Sequence, residues 1–158
     1  MRTLILGLGN PILSDDGIGI KIARAIKKKM KNVEVVEASA AGFRIVDQIL
    51  GFDKLILIDA IQTKNSEPGT IHLLNTQDLK NARHSSSIHD ISFFDALDIY
   101  KKNGESVPQE IIIYAIEVEQ TDIFSEDLTP KVAAALPKAV NRIINDNFQT
   151  LNNKLAHQ

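Results

Sequence analysis

Residues 4–19 read Leu4-Ile5-Leu6-Gly7-Leu8-Gly9-Asn10-Pro11-Ile12-Leu13-Ser14-Asp15-Asp16-Gly17-Ile18-Gly19, an apolar run that leads directly into a glycine-rich and acidic turn. A compact aliphatic run closed by glycine is typical of a strand buried on both faces. From Gly17 to Met30, apolar residues recur at three- and four-residue steps, which predicts an amphipathic helix. A strand that is followed by such a helix is the repeating unit of a parallel α/β sheet.

The same alternation continues along the rest of the chain. Further strands are predicted at 33–36, 55–58, 70–74 and 111–116, and further helices at 43–50, at 92–100 and from Pro130 to about Asn145, with Thr129 as N-cap. We therefore predict an α/β fold, a three-layer α/β/α sandwich around a mostly parallel, twisted sheet of about five strands. The strand at 70–74 is the antiparallel exception, because the turn before it is too short for a parallel crossover.

Length and composition narrow the class of protein. A chain of 158 residues with 44% hydrophobic content fits one domain, which we place at 1–146, with a frayed or disordered tail at 147–158. Eighteen basic and twenty acidic residues give a net charge of −2, so neither nucleic acid nor a membrane surface is an expected partner. The absence of cysteine excludes disulfides, a thiol nucleophile and a thiolate metal site. With neither a signal-peptide pattern nor a long apolar run, we expect a cytoplasmic protein.

Two carboxylates are predicted where strands end, at the edge of an open α/β sheet that binds ligands. Asp15 and Asp16 follow the first strand, and since one aspartate suffices to cap the helix, the other is left for a further role. Asp59 follows four aliphatic residues, and its alternative role is to cap the turn at Ala60 and Ile61.

Histidine supplies the third candidate ligand. His89 lies in a polar, serine-rich segment that we predict to be a loop before a helix, whereas His72 lies in a predicted strand, where a packing or surface role is expected. Two carboxylates and one imidazole suit a borderline divalent metal. The Gly7-Leu8-Gly9 segment lacks the third glycine of a dinucleotide-binding fingerprint, so a sharp turn is the better interpretation.

Several motifs occur together in one order. They are Gly7-Leu8-Gly9-Asn10-Pro11-Ile12-Leu13, Asp16-Gly17-Ile18-Gly19, Asp59-Ala60, Glu67-Pro68-Gly69-Thr70 and His89. In this order and spacing, and over nearly all of the chain to about Arg142, the sequence resembles the hydrogenase maturation endopeptidases. These enzymes trim the C-terminal extension from the large subunit of nickel-iron hydrogenases.

The resemblance implies a particular substrate and site. The partner is a hydrogenase large-subunit precursor, and the nickel belongs to that precursor rather than to the protease. Asp16, Asp59 and His89 fall on the family's metal-recognising residues, and our hypothesis is that Asp16 or Asp59 also helps to activate water. A protease that docks one folding intermediate has no need to be more than a monomer.

The resemblance also suggests which residues form a substrate cleft. Glu37, predicted just past the second strand, and Gly42 fall on the family's cleft loop, although Ala38-Ser39-Ala40-Ala41 departs from its usual glycine- and threonine-rich sequence.

Two alternative functions stay open. Gly-Leu-Gly-Asn-Pro also opens the bacterial peptidyl-tRNA hydrolases, but their Thr-Arg-His-Asn segment is absent here. A nonenzymatic nucleotide-binding or nickel-sensing module is the rival from another class.

Overall fold

Five strands form one sheet in the order β2-β1-β3-β5-β4 in this computed structural model, which describes residues 1–39, 43–81 and 88–149. The strands are β1 (Thr3–Leu8), β2 (Glu34–Ala38), β3 (Lys54–Ile61), β4 (Ile71–Leu74) and β5 (Glu110–Glu117). The helices are α1 (Ile18–Lys29), α2 (Phe43–Ile49), α3 (Thr76–Asn81), α4 (Ile88–Lys102) and α5 (Pro130–Phe148), and a 3₁₀ turn spans Ser14–Gly17. Only β4 runs antiparallel to its neighbour, β5, which confirms the predicted sheet.

Helices cover both faces of the sheet, so the predicted three layers are confirmed. On one face, β1 and β3 contribute Leu4, Leu6, Leu55 and Leu57 to a core shared with α2 and α4. The residues that alternate with these, among them Ile5, Ile56 and Ile58, pack against α1 and α5 on the other face. Both faces of the central strands are therefore apolar, because successive side chains of a strand point to opposite sides.

Two predicted boundaries near the candidate site are wrong. Strand β3 does not end before Asp59 but runs to Ile61, because Asp59, Ala60 and Ile61 continue the backbone ladder with Ala115, Ile116 and Glu117 of β5. Helix α4 begins at Ile88, so His89 lies in its first helical turn and not in a loop. Ile88 and Ile91, three residues apart, extend the apolar spacing of the helix to before the predicted start at Ser92.

Other corrections concern the ends of elements. Glu37 is the fourth residue of β2 and does not follow the strand. Helix α5 continues to Phe148. The side-chain Nδ2 of Asn147 donates to the Ile143 carbonyl at 2.8 Å, and Phe148 packs against the core, so both residues are held at the end of the helix. Residues 150–158 lie outside the described residues. The short helix α3 was not predicted from the sequence.

The helices of the described residues are not of the membrane-spanning kind. None of those within 1–39, 43–81 and 88–149 combines the length and apolarity needed to span a bilayer.

Candidate active site

The glycines of the first turn allow α1 to pack closely against the ends of two strands. A β-carbon at Gly19 would lie 2.5 Å from the Leu8 carbonyl oxygen and closer still to that of Ile58. At Gly9, where φ is +138°, a β-carbon would overlap the Asp16 carbonyl. The turn is thus filled by the chain's own backbone, which favours a structural role for Gly9 over the cradling of a nucleotide phosphate.

Asp16 and Asp59 both lie at the edge of the sheet where the parallel strands end, which we call the carboxyl edge. Asp16 lies three residues before Gly19, and Asp59 directly follows Ile58. The Ile58 carbonyl is one of the two backbone groups against which Gly19 packs. The Asp16 carboxylate is partly exposed and accepts the Asn10 backbone N–H at 2.9 Å. Asp59 is 7% exposed, and its Oδ1 accepts the Ala60 N–H at 2.8 Å.

The neighbouring Asp15 has a different role. It is fully buried and its carboxylate accepts the backbone N–H groups of Glu119, Gln120 and Thr129 at 3.3, 3.1 and 2.8 Å, together with the Thr129 hydroxyl. Asp15 therefore fastens the loop between β5 and α5 to the turn after β1. The sequence predicts that one of these two aspartates caps the helix, but α1 has no side-chain cap and Asp15 instead binds a distant loop. The further role of Asp16 stays a prediction.

The start of α4 lies at the same carboxyl edge. After α4 the chain returns to the opposite edge, where the Gln109 N–H donates to the carbonyl of Asp53, the residue before β3, at 3.0 Å. Helix α4 therefore runs antiparallel to β3 and β5, and its first turn, with His89, is at their carboxyl ends. Phe93, one turn further on, is fully buried in the core on the Asp59 face. The side chain of His89 lies outside the described residues.

Glu37, one of the two cleft candidates, is not brought to Asp59. Glu37 alternates along β2 with Val36 and Ala38, which pack on the α2 and α4 face, so Glu37 is on the other face. There its Oε1 accepts the Arg24 Nε–H of α1 at 2.6 Å, an exposed ion pair of the kind that stabilises a fold little. Gly42 lies outside the described residues.

A buried carboxylate that the sequence analysis did not single out lies two residues beyond Ala115, the β5 partner of Asp59. Glu117 is 1% exposed, and it accepts hydrogen bonds from the Thr63 N–H and the Ser66 hydroxyl at 2.8 and 2.7 Å. His72 Nε2 is 3.3 Å from Glu117 Oε1. Burial raises the pKa of Glu117, but the hydrogen bonds from Thr63, Ser66 and His72 lower it by more, so the net shift is downward. Glu117 ends an apolar run just as Asp59 does, and that signal could have identified it.

Ser66, His72 and Glu117 do not form a hydrolytic triad. In a triad, the serine and the carboxylate contact opposite ring nitrogens of the histidine. Here Ser66 Oγ and Glu117 Oε1 both contact Nε2, at 3.0 and 3.3 Å, and the serine proton is donated to Glu117. The cluster therefore holds the segment between β3 and β4, which contains Thr63 and Ser66, against the end of β5.

A cavity of about 640 Å³ among the described residues is remote from these carboxylates. It is lined by residues of α4, of the segment that follows it and of the start of β5, among them Leu97, Lys101, Val107 and Ile111. These residues are at the edge of the sheet opposite Asp16 and Asp59. Volume alone therefore does not identify the site.

The profile of the hydrogenase maturation protease family matches residues 18–146. The chain belongs to this family. It is 28% identical over 148 residues to the hydrogenase 2 maturation protease of Escherichia coli, an alignment that covers 91% of this chain and 89% of the relative. A hydrogenase maturation protease from Methanocaldococcus jannaschii, described as putative, is 30% identical over 147 residues, covering 89% and 90% of the two chains.

Solved structures of the family share this fold. The hydrogenase maturating endopeptidase HybD of E. coli matches with a TM-score of 0.79 and 28% identity, over 92% of this chain and 91% of that one. HybD from Thermococcus kodakarensis matches with a TM-score of 0.75 and 26% identity, over 92% and 98%. As a member of the hydrogenase maturation protease family, the chain is a peptidase.

The carboxyl edge offers oxygen ligands but no complete metal site among the described side chains. No three histidine, aspartate or glutamate side chains within the described set are grouped as metal ligands. Since the chain has no cysteine, any thiolate at this edge has to come from a partner.

Replacing Glu117 by glutamine is expected to lower the free energy of unfolding at pH 7 by about 2 kcal/mol, because hydrogen bonds to a buried charge are lost. The folded-state pKa of Glu117 lies below its ordinary value of 4.5, so the ionised group stabilises the fold above that pH. This contribution is lost as the pH falls through the lower folded-state value. Urea unfolding from pH 7 downward should therefore show the difference between wild type and Glu117→Gln shrinking in acid.

A matched control for this substitution lies at the other end of β5. Glu110 is half exposed and its carboxylate is 3.5 Å from Lys54 Nζ, so Glu110→Gln should change stability by less than about 0.5 kcal/mol. Equal effects of the two substitutions, or a difference from wild type that is independent of pH, would contradict the role given to Glu117.

Proposed function

We propose that this chain removes the C-terminal extension of a nickel-iron hydrogenase large-subunit precursor after nickel has been inserted. In this proposal Asp16, Asp59 and His89 recognise the nickel that the precursor carries. The observation that supports it best is the close packing of Gly19 against the Leu8 and Ile58 carbonyls, since it places Asp16 and Asp59 at one edge of the sheet. The first turn of α4, with His89, is at that same edge.

The chemistry of the proposed ligands suits a metal that is only partly coordinated by the protease. Two carboxylates and one imidazole leave an incomplete shell around a divalent ion. Thiolates from the precursor complete it, because this chain has none. Nickel acts here as part of the substrate and not as a resident cofactor, so a precursor without nickel is bound less well and is not cleaved.

The proposed hydrolytic step uses one of the two carboxylates as a general base. Asp16 or Asp59 takes a proton from water, the water oxygen bonds to the carbonyl carbon of the scissile peptide, and the carbon–nitrogen bond breaks. The carboxylic acid then returns the proton to the departing amine. The bound nickel holds the precursor's tail in place, so proximity supplies much of the rate increase. We also propose that the protein acts as a monomer in the cytoplasm.

Incubation with matched precursors tests this function. We expect the purified chain to shorten its cognate nickel-loaded precursor and to leave the nickel-free precursor intact, with intact-mass spectrometry giving the scissile bond. Equal cleavage of both precursors would overturn recognition of nickel. Failure to cleave a nickel-loaded precursor that is processed in cells would overturn the proposed substrate.

A further inference from the structure

Two loops at the carboxyl edge are joined into one unit beside Asp16. The turn after β1 and the loop before α5 form a parallel bridge between Leu13 and Ser125. The Ser125 N–H donates to the Ile12 carbonyl at 2.9 Å, and the Ser14 N–H donates to the Ser125 carbonyl at 2.8 Å. Beneath the bridge, the buried carboxylate of Asp15 holds the Thr129 N–H at 2.8 Å. The unit is therefore fixed by hydrogen bonds on both sides.

This unit exposes three large apolar side chains to solvent. Ile12 is 47% exposed, Ile123 is 50% exposed and Phe124 is 82% exposed, and we call these three residues the apolar rim. They are half of the six large apolar side chains that are exposed in the described part of the chain. Ile12 and Phe124 directly precede the bridged pair Leu13 and Ser125, so they are neighbours across the bridge. Keeping apolar side chains exposed on a fixed backbone is unfavourable for the free protein and indicates a partner.

We propose that the apolar rim is a docking surface for the hydrogenase large-subunit precursor, an inference that rests on the proposed function. Ile12 is in the same turn as Asp16, four residues away, and the Asn10 N–H to Asp16 bond of 2.9 Å closes that turn. A precursor that presents its metal to Asp16 has to approach across this turn. The rim is therefore continuous with the surface that the substrate covers.

The size of the apolar rim favours a transient contact over a permanent one. Three side chains expose at most on the order of a few hundred Å². A stable complex buries about 800 Å² on each partner, so the rim by itself does not hold two copies of this chain together. An enzyme has to release its product, and a small apolar contact beside the reacting group suits that need.

Charge around the rim indicates the complementary face of the precursor. The loop at 119–129 contains four acidic residues and no lysine or arginine; the acidic residues are Glu119, Asp122, Glu126 and Asp127. All four are exposed. The docking face of the precursor should therefore be apolar with lysine or arginine around it, and its binding should weaken as salt is added.

Binding and cleavage measured side by side test the apolar rim. Ile12→Ala combined with Phe124→Ala should raise both the Kd and the KM for the nickel-loaded precursor at least about tenfold and leave kcat unchanged, because the reacting groups are untouched. Ile99→Ala in α4 is the matched control, since Ile99 is 45% exposed away from the rim and should leave both constants unchanged. Urea unfolding is expected to be the same for all variants, since these side chains are exposed.

The outcomes separate this inference from the proposed function. Wild-type cleavage with an unchanged Kd and KM in the double variant would overturn the docking surface and leave the function standing. Weaker precursor binding by the double variant would support the rim even if wild type fails to cleave. Absence of wild-type binding to the precursor, or self-association of wild type that the double variant abolishes, would overturn the inference.

Discussion

Asp16→Asn and Asp59→Asn are each expected to slow cleavage of a nickel-loaded precursor by about 100-fold or more while the fold stays intact. Asparagine has nearly the same shape as aspartate, and its side-chain oxygen can still accept the Asn10 N–H or the Ala60 N–H, now at 2.9 and 2.8 Å. In the proposed mechanism, what is lost is the negative charge that attracts the metal and takes a proton from water. Single-turnover cleavage and urea unfolding of the same preparations provide the measurement.

The control for this prediction changes the same charge elsewhere in the fold. Asp95 is exposed on α4, outside the loop at 119–129, so Asp95→Asn removes one negative charge without touching either candidate or the apolar rim. It should leave the single-turnover rate within about twofold of wild type. If Asp16→Asn or Asp59→Asn processed the precursor at the wild-type rate, that residue would have to be removed from the proposed site.

Gly19→Ala is expected to destabilise the protein by about 3 kcal/mol or more, the largest effect on stability that we predict. The new β-carbon would meet the carbonyl oxygens of Leu8 and Ile58, which are backbone atoms and cannot rotate away. Helix α1 would have to move away from β1 and β3. Helix propensity alone predicts the opposite sign, since alanine is favoured over glycine within a helix by about 1 kcal/mol. Urea unfolding of Gly19→Ala distinguishes the loss of stability expected from steric overlap from the gain expected from helix propensity.

A second glycine separates steric overlap from backbone strain. At Gly104, φ is +82° and no atom lies within 4 Å of the β-carbon position, so Gly104→Ala should cost only about 1 kcal/mol. Gly19→Ala should also slow processing, because moving α1 moves the turn that carries Asp16, whereas Gly104→Ala should not. Equal losses of stability at the two positions would show that the contacts of Gly19 do not position α1.

The fold could be predicted from the sequence because its central strands have a simple pattern. The aliphatic runs of β1, β3 and β5 and the three- and four-residue spacing of α1 are local sequence patterns. They can be recognised without knowing any contact between distant residues. Boundaries were less predictable. Strand β3 passes through Asp59, since the ladder with β5 depends on the backbone and not on the charge of the side chain.

The site was only partly predictable, because its contacts join distant parts of the chain. The alternation of strands and helices predicts parallel strands, whose carboxyl ends share one edge of the sheet, so the presence of Asp59 there could be anticipated. The partners of Asp15 are 104 to 114 residues away, and no local pattern connects them. The contact between Glu117 and His72, 45 residues apart, has no local pattern either, although the apolar run that Glu117 ends could have identified that residue. The roles of Asp16, Asp59 and His89 in nickel recognition stay predictions.

The long reach of Asp15 has a consequence for synthesis of the protein. Its carboxylate is buried near the amino terminus, yet the Thr129 N–H that it binds is made 114 residues later. A nascent chain that has emerged only as far as β5 therefore lacks the donors for this charge, and the surface beside Asp16 cannot yet be complete. Each newly made molecule becomes competent only after Thr129 and its neighbours have been made, so a shorter nascent chain cannot compete with finished enzyme for precursor.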